Sequence, residues 1–183
     1  AADPVVWDIR VPRTVLGLVI GAAVAVSGAL FQGLFRNPLA DPGLLGITAG
    51  AAAAVAVTIL AAGSLATVLG GGLAWVEPVR PYLVPMAAVV GAVVTLLAVI
   101  PLGGGSRLDV ATLLLAGIAV NAIAGSITGL CIFLADDAQL RDLTFWSLGA
   151  LGGATFTTAS ITAACVLPAL AVTPLLARRL DAL

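Results

Sequence analysis

The chain has 183 residues, of which 61% are hydrophobic and 9% charged, with a net charge of −1 and a mean hydropathy of +1.20. Soluble domains carry about 25% charged residues, and a chain this short cannot hide so apolar a composition from water, so it reads as an integral membrane protein. All eight basic residues are arginine, with no lysine or histidine, which excludes a phosphate-binding lysine loop, a histidine-dependent triad and imidazole metal ligation.

In chain order, residues 1–13 (AADPVVWDIRVPR) are polar, with Asp3, Asp8, Arg10, Arg13 and an interfacial Trp7. The opening has neither an initiator methionine nor a signal-peptide pattern, so a fragment is expected. A first membrane helix is predicted over about 14–35, long enough for the ~20 residues a crossing needs. Gly17, Gly21, Ala25, Ala29 and Gly33 form an i, i+4 ridge on it that would let another helix approach closely. Gln32 near its end reads as an interhelical hydrogen-bond donor. The stretch QGLFRNPLADPGLLGITAG (32–50) then breaks the helix. Pro38 and Pro42 lack an N–H and bias Asn37 and Asp41 away from helix, and Gly43 permits unusual dihedrals. An ordered, compact turn over Asn37–Gly43 is expected, with Asn37 and Asp41 capping nearby backbone.

A second helix is predicted over 44–62, then a Gly-rich connection over 63–81 with Trp75, Glu77, Pro78, Arg80 and Pro81, and a third helix over 82–102. Gly103-Gly104-Gly105 is a tight turn without nucleotide-loop chemistry. The fourth helix, 110–134, carries Thr112, Asn121, Ser126 and Thr128, with Gly117, Asn121, Gly125 and Gly129 on one row. Two readings of that row stand open: an interhelical hydrogen bond, or a helix lining a polar path. Residues 135–155 read as an acidic surface loop followed by a short interfacial helix. The last helix, 156–177, contains Pro168 and Pro174, where a kink is expected, and Arg178-Arg179 close it as an interfacial anchor. Cys131 and Cys165 fall at apolar positions of different depth and are expected to stay reduced.

The expected fold class is therefore an all-α integral membrane protein, with about five transmembrane helices plus a short interfacial helix in a single region over 1–183. Five crossings put residues 1–13, 63–81 and 135–155 on one face and the turns 36–43 and 103–109, with the tail 178–183, on the other. Each face carries four arginines, so the positive-inside rule does not orient the chain.

The wording Arg10-Val11-Pro12-Arg13-Thr14, then GAAVAVSGALFQGLFRNPLADPGLLGITAGA, resembles the permeases of binding-protein-dependent ABC importers for iron-siderophores, haem and cobalamin, the FecCD family. Leu114–Ala119, Ala135-Asp136-Asp137, Phe145–Gly149 and Arg178-Arg179-Leu180 continue the match in register. The resemblance implies the second to sixth helices of a ten-helix permease that pairs with a second permease copy and two cytoplasmic ATP-binding subunits. It implies residues 1–13 outside the cell membrane, with Arg10 and Arg13 docking an extracytoplasmic substrate-binding protein, and Asn37, Pro38, Asp41, Pro42 and Gly43 in a cytoplasmic turn. It favours a pathway or dimer-interface role for Gly117, Asn121, Gly125 and Ser126. No cofactor, metal or nucleic-acid partner and no covalent chemistry are expected. From the residues alone, a passive channel or structural membrane domain stays open as an alternative. An intramembrane enzyme is disfavoured, because no paired carboxylates lie within the helices.

Overall fold

The computed structural model describes residues 3–68, 80–103 and 110–180. Among these there are six α-helices and no strands: α1 Val11–Phe35, α2 Ile47–Val68, α3 Arg80–Leu102, α4 Val110–Leu134, α5 Asp137–Leu148 and α6 Phe156–Leu180. Four stretches are long and apolar enough to cross a bilayer: Val5–Phe35, Tyr82–Leu102, Val110–Leu134 and Phe156–Leu175. The 22-residue α2 is about 33 Å long at 1.5 Å per residue, enough for a fifth.

Several boundaries differ from those expected. Residues 5–10, read as a polar lead-in, form a turn of π-helix that runs directly into α1. The wider winding suits Pro12, which has no N–H to give an α-helical bond. Asp3 anchors this start, its carboxylate accepting the Val5 N–H at 3.0 Å. The second helix begins at Ile47 rather than 44, because Pro42–Leu45 winds as a 3₁₀ turn and Gly46 adopts φ 79°. The left-handed glycine of this turn is thus Gly46, not Gly43. Of the 63–81 connection, residues 63–68 extend α2 and residues 80–81 open α3; Trp75, Glu77 and Pro78 lie outside the described residues, as do Gly104, Gly105 and the side chains of Arg178 and Arg179.

The described chain falls into two compact units, residues 1–41 with 149–183 and residues 42–148. In the first, α1 packs against α6. Pro174 inside α6 withholds the N–H that Leu170 O would accept, and the Thr173 hydroxyl donates to that oxygen at 2.6 Å instead. This is how a membrane helix tolerates proline. Thr155 and Thr158 start α6 by reciprocal capping, each hydroxyl accepting the other's N–H at 3.1 and 2.8 Å.

In the second unit α2 packs against α3, α4 and α5. Its Gly50 and Ala54 meet α3 at Gly91 and Thr95: a methyl on Gly50 would strike Thr95, and one on Gly91 would strike the Gly50 carbonyl and the Ala54 side chain. Val55, Ala56 and Val99 are fully buried there. Close backbone approach of this kind drives helix association in lipid, where burial of apolar surface gives no advantage over the hydrocarbon itself. Farther along, Ala56, Cys131 and Leu143 join α2, α4 and α5 in one core. The interfacial helix expected in 135–155 is α5. Asp136 caps it, accepting the Ala138 and Gln139 N–H groups at 2.9 and 2.8 Å, while the Gln139 side chain accepts the Asp136 N–H at 3.0 Å. That reciprocal arrangement is a capping box; Gly149, at φ 69°, closes the helix in the left-handed conformation. Both cysteines are free, Cys131 buried and Cys165 exposed.

Candidate functional site at the signature turn

The turn between α1 and α2 is built in two halves. In the first, α1 ends with Arg36 in the left-handed region (φ 48°, ψ 36°). The Arg36 N–H donates to Gly33 O at 3.2 Å and the Asn37 N–H to Gln32 O at 3.1 Å, the two bonds of a Schellman cap. Asn37 Oδ1 then accepts the Leu39 N–H at 2.9 Å, and its carbonyl accepts Ala40 N–H at 3.1 Å. Gln32, expected to reach another helix, instead donates through Nε2 to Pro38 O at 3.0 Å. The proline leaves its own segment short of donors, and the glutamine one turn inside α1 is the nearest amide. The segment is compact, as expected, and exposes Asn37, Pro38, Leu39 and Asp41.

The second half belongs to α4. Asn121 Nδ2 donates to Gly43 O at 3.1 Å and to Leu44 O at 3.4 Å. Gly117 is buried one turn away, and a Cβ there would strike the Leu44 carbonyl and Leu45 Cα. A Cβ on Gly46 would in turn lie 3.4 Å from Asn121 N and Gly117 O. The α4 row is therefore divided. Gly117 and Asn121 face the Pro42–Leu45 turn, whereas Gly125 and Gly129 have nothing within 4 Å of a Cβ and are exposed. Ser126 is exposed too, its hydroxyl donating to Ala122 O at 2.8 Å. The α1 ridge is similarly open at Gly21, while Ala29 and Gly33 line a cavity of about 360 Å³ with Thr173, Pro174 and Ala177 of α6.

At the N-terminal end of α1, Arg10 and Arg13 are both exposed but differ in what they hold. Arg13 donates through Nε to Leu151 O at 3.2 Å and through Nη2 to Gly152 O at 3.5 Å. Arg10 makes no side-chain hydrogen bond among the described residues, and its carbonyl accepts the Thr14 hydroxyl at 2.9 Å.

The residues the sequence reading passed over are Arg36, Gly46, Gly50 and Gly91. The row Gly46-x₃-Gly50-x₃-Ala54 carried the signal for Gly46 and Gly50, being the same small-residue spacing recognised on α1 and α4; Gly91, which packs against it, stands alone on α3 and had no such signal.

Apolar helices of spanning length, packed through glycine contacts, define a polytopic all-α membrane protein. The chain belongs to the FecCD transport family, whose sequence profile matches residues 1–183. It is similar to the hemin transport system permease protein HmuU of Yersinia pestis, 40% identical over 179 residues, covering 97% of this chain and 51% of the relative. It is also similar to the vitamin B12 import system permease proteins BtuC of Serratia proteamaculans (strain 568), 36% identical over 153 residues, and Vibrio vulnificus (strain CMCP6), 38% identical over 149 residues. These matches cover 84% and 81% of this chain and 42% and 41% of the relatives. The chain thus spans about half the length of the curated relatives it matches. In fold it resembles a solved structure described as a metal-chelate type ABC transporter in an inward-facing conformation. The TM-score is 0.80 at 24% identity, covering 97% of this chain and 52% of that one.

Proposed function

We propose that this chain supplies part of the translocation pathway of a binding-protein-dependent ABC importer in the inner (cytoplasmic) membrane, carrying a haem-, cobalamin- or iron-siderophore-type chelate. The observation that carries the reading is the family match over the whole chain, joined to 40% identity with a hemin transport system permease protein. The chain itself performs no covalent step. ATP is bound and hydrolysed on cytoplasmic partner subunits, a second permease copy completes the path, and an external binding protein delivers the substrate. Gly125 and Ser126, exposed on α4, are the row residues open to that copy or path, and the Asn37–Gly43 turn faces the cytoplasm.

Arg10 and Arg13 form the docking point for the binding protein, with Arg10 the more available of the two. A guanidinium grips a carboxylate through parallel hydrogen bonds and stays charged at any relevant pH. Reconstitution of the complete permease with its ATPase and binding protein tests the reading. Hemin, a cobalamin or a ferric siderophore should enter vesicles only with ATP and binding protein present. Entry without either would favour the passive channel.

A further inference from the structure

An amide inside an apolar membrane helix must find partners, because hydrocarbon offers none. Asn121 finds its partners in the carbonyls of Gly43 and Leu44, at 3.1 and 3.4 Å. The Gly43 oxygen also accepts the Gly46 N–H at 3.1 Å, so the bond that holds the turn's own winding and the bond from α4 converge on one atom. Around this point α4 and the turn meet backbone to backbone. Gly117 leaves no room for a methyl against Leu44 and Leu45, and Gly46 lies against the main chain of Gly117 and Asn121. The Asn121 amide nitrogen is thus turned towards the backbone of the turn.

We propose that Asn121 is a positioning residue that locks the Pro42–Leu45 turn onto α4, so that these four residues and this helix move as one body during transport. The inference rests on the permease reading above. To slide past α4, the turn would have to strip the Asn121 amide of both its carbonyl acceptors in apolar surroundings, where an unmade hydrogen bond is most costly. Rigid-body motion of turn plus helix breaks nothing. A displacement at the turn is then delivered to the exposed α4 positions Gly125 and Ser126 without loss through a flexible joint.

The test uses the complete permease complex in lipid nanodiscs and vesicles, with Asn121→Leu, similar in shape but without donors, and Asn121→Asp, isosteric and unable to donate when ionised. Hydrogen–deuterium exchange at the Gly46 amide should quicken by about fivefold or more, the factor that the loss of one typical hydrogen bond represents. Exchange at Ala54–Ala56, in the α2–α3 contact, should not change. ATP-dependent uptake should fall several-fold in maximal rate, with the concentration of loaded binding protein giving half-maximal rate unaltered. Should the leucine variant fail to accumulate, the aspartate variant carries both arms. Unchanged exchange at Gly46, or acceleration spread evenly over α2, α3 and α4, would overturn the lock. Quickened exchange with wild-type uptake would overturn its role in transport. A wild-type complex without ATP-dependent uptake would sink the permease reading alone, and the exchange arm would still decide the lock.

Discussion

Arg36 occupies the left-handed region at the end of α1, the only non-glycine residue to do so among those described. For an L-residue that conformation costs about 1–2 kcal/mol, and the Schellman bonds it completes offset part of the cost. Arg36→Gly keeps both bonds and removes the steric penalty, so it should stabilise the protein by about 1 kcal/mol. Denaturant unfolding in detergent measures this. No gain would mean that the arginine side chain compensates through a contact of its own. The two external arginines make a second contrast at this scale. Arg13 bonds to the carbonyls of Leu151 and Gly152, so Arg13→Ala should quicken amide exchange across 149–155, whereas Arg10→Ala should not. Equal exchange in both variants would remove Arg13 from the role of loop staple.

Among elements, the α2–α3 contact depends on the absence of side chains at Gly50 and Gly91. Gly91→Ala puts a methyl into the Gly50 carbonyl and the Ala54 side chain. Overpacking of this sort costs about 1–3 kcal/mol. Gly125→Ala, with open space around the new methyl, should leave stability within about 0.5 kcal/mol, as a site away from internal contacts does. Unfolding of the two variants side by side checks the ranking; an equal loss would show that Gly125 is packed as tightly as Gly91. Gly125→Leu asks a different question. If that face meets the second permease copy, the bulk should impair assembly or uptake far more than Leu115→Phe at an exposed position elsewhere on α4. Leu113 would be a poor control, since it is buried against Gly103. Equal tolerance of the two substitutions would take the partner face away from Gly125.

For the whole molecule, the expected partners act through charge and through apolar faces that the chain leaves uncovered. Rim charges mainly set the rate and orientation of encounter and their dependence on salt. Arg10→Glu should therefore slow association with the binding protein and flatten its salt dependence, while insertion and folding stay normal. Arg10→Glu with Arg13→Glu should add a smaller further loss, since Arg13 is already shared with backbone carbonyls. Stopped-flow association over a range of salt concentrations measures both. Unchanged rates would assign the arginines to lipid phosphates instead, which draw cations to the same depth of the membrane.

The amino-acid sequence by itself determined that the chain is an all-α membrane protein, where most of its helices run, and that residues 36–43 turn. Those properties follow from local chemistry: apolar length, the missing N–H of proline and the short reach of Asn37 to its own backbone. The family resemblance was legible for the same reason, because its motif is contiguous. The tertiary structure alone decided which small-residue row is used. The spacing on α1, α2 and α4 is alike, but Gly50 is brought against Gly91 and Gly117 against Leu44 and Leu45, whereas Gly21, Gly125 and Gly129 have open space around them. It also decided that Gln32 turns back to Pro38, that Asn121 holds Gly43 and Leu44, and that Arg13 holds Leu151 and Gly152. A polar side chain in an apolar helix announces that it needs a partner; which partner depends on distances between segments up to 139 positions apart in the chain, and folding alone sets those.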